Sequence, residues 1–148
     1  MIPFFRSNAR LVLLRLNAED WLGTPWRPGS AVKGGGVDCV RLCSSVLVAC
    51  GALPATFQVP TRRTSSRQTD ETVFLLNSLP WFTPAEGRRA GDLLVMRGEA
   101  HLHFGLLVEV EGRLRLLQCL QGPGVFMSEP GDSSFASRIV GTWRPIET

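Results

Sequence analysis

The run Gly34-Gly35-Gly36-Val37-Asp38-Cys39-Val40 delivers a thiol out of a glycine-rich turn to the predicted start of a helix. Unpaired backbone N–H groups and the positive end of the helix dipole stabilise a thiolate there, so Cys39 has a nucleophile's position. His101 and His103 follow in a strand-like stretch, and a thiol with an imidazole is the pair that acyl transfer through a covalent intermediate requires.

The helix that must present Cys39 is visible in its periodicity. At 100° per residue from Val37 to Cys50, Cys39, Leu42, Cys43, Val46, Leu47 and Cys50 share a stripe, with Arg41, Ser44, Ser45 and Val48 opposite. Asp38 stands where a side-chain oxygen caps the helix start, and Gly51 where a left-handed residue ends it. Cys43 and Cys50 lie mid-helix on the apolar stripe and read as small buried hydrophobes.

A hairpin must present the histidine. If Glu111-Gly112 form the turn, Val110 faces Arg113, Leu107 faces Leu116, Gly105 faces Gln118 and His103 faces Leu120. Gln118 is then the diagonal neighbour of His103 across bare Gly105, at roughly 7 Å between Cβ positions, within reach of a long side chain. A three-residue loop would instead bring Gln121 opposite His103. Gln118 is the expected group to orient the imidazole.

Composition narrows the function classes. The chain has 148 residues with 44% hydrophobic content, which predicts one core and a single domain spanning 1–148. Its net charge of +3 comes from fifteen arginines and one lysine spread along the chain, with no tyrosine to stack a base, so nucleic acid is not an expected partner. Three of the four cysteines sit on one helix, a poor geometry for disulfides. The spacing of Cys39, Cys43, His101 and His103 matches no zinc knuckle or finger, so no metal and no other cofactor is expected. The apolar stretch Leu11-Val12-Leu13-Leu14, bracketed by Arg10 and Arg15, is too short for a secretion signal or a membrane span.

Residues 8–21 read as a surface helix, 54–72 as a long loop, 71–79 as a short helix and 80–89 as an irregular connection. Strands are predicted over 93–96, 101–110, 113–120, 125–127 and 138–143. Helices first and an antiparallel sheet afterwards give an α+β domain.

The run Trp21-Leu22-Gly23-Thr24-Pro25-Trp26-Arg27, then Gly36-Val37-Asp38-Cys39-Val40, Gly91-Asp92-Leu93-Leu94, His103-Phe104-Gly105, and Gln118 followed by Gly122-Pro123-Gly124-Val125, resembles the NlpC-type cell-wall peptidases. These are papain-like cysteine hydrolases, and the likeness, from about residue 9 to residue 145, is to the branch encoded in phage tail and gene-transfer-agent clusters. The resemblance implies a papain-like fold with N-terminal helices packed on a C-terminal antiparallel sheet. It implies Cys39 as nucleophile, His103 as general base and Gln118 in the third position, with Trp26, Asp38 and Arg41 as substrate contacts. This chain has Trp26 where the family commonly has tyrosine, Arg41 in place of a glycine, and Gln118 in place of the usual histidine.

By that resemblance the substrate is a peptide bond of the peptidoglycan stem, and the partners are proteins of a phage-like tail. The chain would be assembled into the particle in the bacterial cytoplasm and act in the recipient's periplasm. Phe4, Phe5 and the 54–72 loop are the expected docking surface. A structural tail component with the same fold and no chemistry is the alternative.

Overall fold

A computed structural model describes residues 1–60, 68–98, 101–131 and 137–148. Three helices among these residues pack on one face of an antiparallel sheet: α1 (Asn8–Asp20), α2 (Cys39–Ala49) and α3 (Gln68–Ser78). The sheet strands are β3 (Phe82–Pro84), β4 (Leu93–Arg97), β5 (Leu102–Val110), β6 (Arg113–Leu120), β7 (Gly124–Ser128) and β8 (Ile139–Pro145), in the order β3-β8-β4-β5-β6-β7. Two short strands, β1 (Ala31–Val32) and β2 (Gly36–Val37), pair separately. The chain is therefore α+β, with its helices segregated to one layer.

Side-chain alternation divides the sheet into two apolar faces. Val95, Phe104, Leu106, Val108, Leu117 and Cys119 join Leu14 and Ala18 of α1 and Leu42, Cys43, Val46 and Leu47 of α2 in the main core. Leu94, Met96, Leu107 and Leu116 form a second cluster on the opposite face. Every residue predicted for the α2 stripe is buried except Cys39, which is half-buried at the helix's first position.

The β5–β6 hairpin turns on Glu111 and Gly112, both at positive φ (52° and 76°), the backbone of the tight turn that matches strand twist. Val110 pairs with Arg113 and Leu107 with Leu116, which is the two-residue register; the three-residue alternative is excluded.

Several boundaries differ from the sequence reading. The start of α2 agrees with it, with Asp38 as cap and Cys39 as first residue, while the N–H of Val37 donates to Pro25 O and its carbonyl accepts from Arg27 N. Helix α3 starts at Gln68, inside the predicted loop, with Asp70 and Glu71 in its first turn where they complement the dipole. Within the predicted 80–89 connection, β3 pairs with β8. The stretch 61–67 of the predicted loop lies outside the described residues.

Phe4 and Phe5 do not form an exposed docking surface. Phe5 is buried, its ring meets Phe4 edge to face at 5.0 Å, and it packs over Gly91, where a Cβ would lie 2.2 Å from the ring. The exposed apolar residues of this region are instead Met1 and Ile2 and, on α1, Val12, Leu13 and Leu16.

Asp92, fully buried at the start of β4, is held by Arg144 of β8 through two hydrogen bonds of 2.8 Å and by the Arg89 N–H at 2.8 Å. This forked pair ties β8 to the entry of β4, so the aspartate of the Gly91-Asp92 motif is a brace rather than a reactive group.

Candidate active site

Asp38 builds the entrance to α2. Its Oδ1 accepts from Arg41 N at 2.9 Å as the helix cap, and its Oδ2 accepts from Gly29 N at 2.8 Å and Arg41 Nη1 at 2.7 Å. Both oxygens are thus engaged by the chain itself. Asp38 lines the cleft as a residue that fixes the Gly29 loop and Arg41.

A bridge from Trp26 to Val37 lays the Gly23-Thr24-Pro25-Trp26 segment against the helix entrance. That segment is also sewn to β7, with Gly23 N donating to Val125 O and Val125 N to Thr24 O. Gly124 is required there: a Cβ would come within 2.5 Å of Thr24 O.

Met96 pairs with His103 across β4 and β5, which puts the imidazole on the sheet face opposite the helices. Cys39, at the start of a helix on one side of the sheet, and His103, on the other face, therefore share a cleft at the rim of the sheet. Both line one cleft of about 830 Å³, together with Trp26, Asp38, Arg41, Met96, Arg97, His101, Gln121 and Arg138.

Gln118 is fully buried on β6, and His103 Nε2 lies 2.8 Å from its Oε1. The Gln118 amide nitrogen donates to Ser128 Oγ at 2.7 Å, which turns the amide oxygen toward the ring. With the oxygen so placed, His103 carries its proton on Nε2, and the basic lone pair is on Nδ1. Burial pushes the His103 imidazole below its ordinary value, and the Gln118 hydrogen bond pulls in the opposite direction.

The other thiols are unsuited to attack. Burial raises the Cys43 thiol well above its ordinary value and pushes Cys50 and Cys119 up to about 11. Cys119 Sγ also donates to Val37 O at 3.3 Å, serving the architecture of the helix entrance. Among the described residues no group of three or more His, Cys, Asp or Glu could hold a metal ion, and no helix is long and apolar enough to cross a membrane. A neighbouring apolar cavity of about 400 Å³ between α2, α3 and the sheet shares Val40 and Gln68 with the cleft.

The structure thus gathers Cys39, His103, Trp26, Asp38 and Arg41 around one cleft, with Gln118 behind the imidazole. Sequence reasoning did not find Ser128. Its only signal is β7 register: Leu116 pairs with Ser128 and Gln118 with Phe126, making Ser128 the diagonal neighbour of Gln118.

No family profile matches the chain. No curated protein matches it in sequence. A crystal structure described as similar to a lipoprotein of the NLP/P60 family, from Staphylococcus aureus subsp. aureus Mu50, superimposes with a TM-score of 0.63 at 16% identity. The match covers 99% of this chain and 44% of that one, so this chain spans under half the length of its structural neighbour. The α+β architecture of helices on an antiparallel sheet is shared with that NLP/P60 protein.

Proposed function

We propose that this chain is a cysteine hydrolase of the NlpC/P60 type that cleaves amide bonds in peptidoglycan stem peptides. The observation that carries the reading is the hydrogen-bonded series His103–Gln118–Ser128, which leaves Nδ1 basic in the cleft that holds a helix-initiating thiol. The shared fold supports the same class of chemistry.

In the proposed reaction His103 Nδ1 takes the Cys39 proton as Sγ attacks the carbonyl carbon. The carbonyl π electrons move to oxygen, and the Cys39 backbone N–H at the helix start is one donor to that oxyanion. Collapse breaks the C–N bond, and the amine leaves with the proton from His103. Water then gives His103 a proton, attacks the thioester and releases the acid as Sγ regains its proton. Gln118 is uncharged, so it fixes the ring without adding a carboxylate's stabilisation of imidazolium. Trp26 and Arg41 border the cleft as substrate contacts.

The test is release of peptides from purified peptidoglycan by the wild type, with Cys39→Ala and His103→Ala as controls. Cys39-dependent release is expected; a fully folded protein that releases nothing from walls of several stem chemistries would leave the structural tail component as the reading. Arg41, held over the cleft by Asp38, is the observation that favours this second reading.

The tail-carried role rests on the sequence resemblance to the phage tail and gene-transfer-agent branch. It places the protein in a particle assembled in the cytoplasm, acting on the recipient's wall in the periplasm. Mass spectrometry of purified particles checks this: the chain should be present in mature particles, and its absence from them would refute delivery whatever the activity.

A further inference from the structure

Arg97 ends β4, and Arg138 immediately precedes β8. The Arg97 N–H donates to the Arg138 carbonyl at 2.8 Å, just past the irregularity that shifts the β4–β8 register between Val95 and Met96. Two arginine backbones are thereby neighbours where β4 ends and β8 begins. Like charges in that relation destabilise a sheet. Neither arginine makes an ion pair with a described residue, and both are exposed where they line the cleft of Cys39 and His103.

The remaining described charges of the cleft cannot offset them. Asp38 is the one acidic residue among its described walls, and its oxygens are taken by Gly29, by the Arg41 N–H and by the Arg41 guanidinium. Arg41 and Asp38 cancel, leaving Arg97 and Arg138 as positive charge that no described residue offsets, beside apolar walls that include Trp26, Met96 and Leu102. Such a cleft attracts an anion, and the planar fork of guanidinium matches a carboxylate with two parallel hydrogen bonds.

We infer that Arg97 and Arg138 form a carboxylate-recognition site, so that the cleft selects peptides carrying a free carboxylate close to the bond Cys39 attacks over the same peptides with that group as a carboxamide. This deepens the proposed function and rests on it. It makes the two arginines specificity residues that act on binding.

The experiment compares synthetic stem peptides that differ only in one carboxylate or carboxamide, using wild type, Arg97→Gln, Arg138→Gln and the lysine variants. For the free acid, each glutamine variant is expected to lose about tenfold in kcat/KM, mainly through KM, as one charge-assisted hydrogen-bonded contact implies. The loss on the carboxamide should be several-fold smaller than on the free acid, and lysine should restore part of the loss on the acid. Calorimetric binding of both peptides to Cys39→Ala gives a readout independent of turnover. If no variant cleaves either peptide, the hydrolase reading fails, and binding alone decides: acid-selective binding that the glutamine variants lose upholds the inference. Equal affinity for acid and carboxamide, or selectivity untouched by both glutamine variants, overturns it.

Discussion

Replacing Gln118 by Leu removes an amide with little change in volume, and its consequences follow from two contacts. The amide oxygen meets His103 Nε2 at 2.8 Å and the amide nitrogen meets Ser128 Oγ at 2.7 Å. Without them the imidazole N–H loses its partner at a half-buried site, while the Ser128 hydroxyl, also half-buried, can turn toward water. One unsatisfied group costs about 1–3 kcal/mol of stability, and the variant should unfold at correspondingly lower urea. The catalytic loss is a separate quantity. Deleting a group that orients another's ring typically costs about 10–100-fold, or roughly 1.4–2.8 kcal/mol of barrier. Turnover on a fluorogenic stem peptide should fall by that factor with KM little changed, and nitrogen-15 NMR should show the His103 proton no longer confined to Nε2. Gln121→Ala, which only changes the cleft wall, should lose less, and Gln118→His should keep or raise turnover. If Gln118→Leu loses stability yet turns over within about twofold of wild type, the amide is a packing element and its assignment as orienting group is wrong.

Iodoacetamide near neutral pH should alkylate Cys39 alone, since the other three thiols are buried; peptide mapping that finds Cys43, Cys50 or Cys119 modified at a similar rate in folded protein would contradict this. Because burial lowers the His103 imidazole, the folded state disfavours its protonation: its contribution to stability is complete above about pH 6.5 and is lost as pH falls from there toward the depressed folded value. An NMR titration should place the His103 midpoint below that of an unfolded histidine, and Gln118→Leu should move it lower still, since the lost hydrogen bond was raising it. Arg144→Gln leaves the fully buried Asp92 carboxylate without its forked partner and should cost about 3–5 kcal/mol in urea unfolding, with Asp92→Asn in the same background recovering part of the loss.

The sequence carried those parts of the fold in which local signals agree with one another. Helix α2 was legible because a capping aspartate, an apolar stripe and a terminal glycine all mark the same segment. The β5–β6 hairpin was legible because Glu111-Gly112 sets the pairing and alternation does the rest, which puts Gln118 behind His103. What failed to show depends on partners distant in the chain. Strands β1, β2 and β3 have two or three residues each, too few for a period, and exist through their neighbours. The burial of Phe5 requires a residue without a Cβ at position 91. Ser128 becomes relevant only through β6–β7 register, set by a connection in which Gly122 and Gly124 both take positive φ. Gln68, at the start of α3, reaches across to accept from Leu102 N at 3.4 Å, a contact invisible to any local pattern.

The exposed tip at Glu111 and Gly112 has a meaning for how this gene can vary. Its one side chain, that of Glu111, is exposed, so the identity of Glu111 is free to drift within what a left-handed backbone accepts. The register it sets is not. A residue inserted between Val110 and Arg113 leaves the pairing unchanged when it is taken up as a three-residue loop, but one that slid β6 a single place along β5 would turn every side chain of β6 to the other face, sending Gln118 into the helix-packed core and Cys119 out beneath His103. A slip of two places restores the alternation. Variation at this tip should therefore be permissive in spelling and quantised in register, with a slip of one place as damaging to function as loss of the histidine itself, although it starts at the far end of the strand from it.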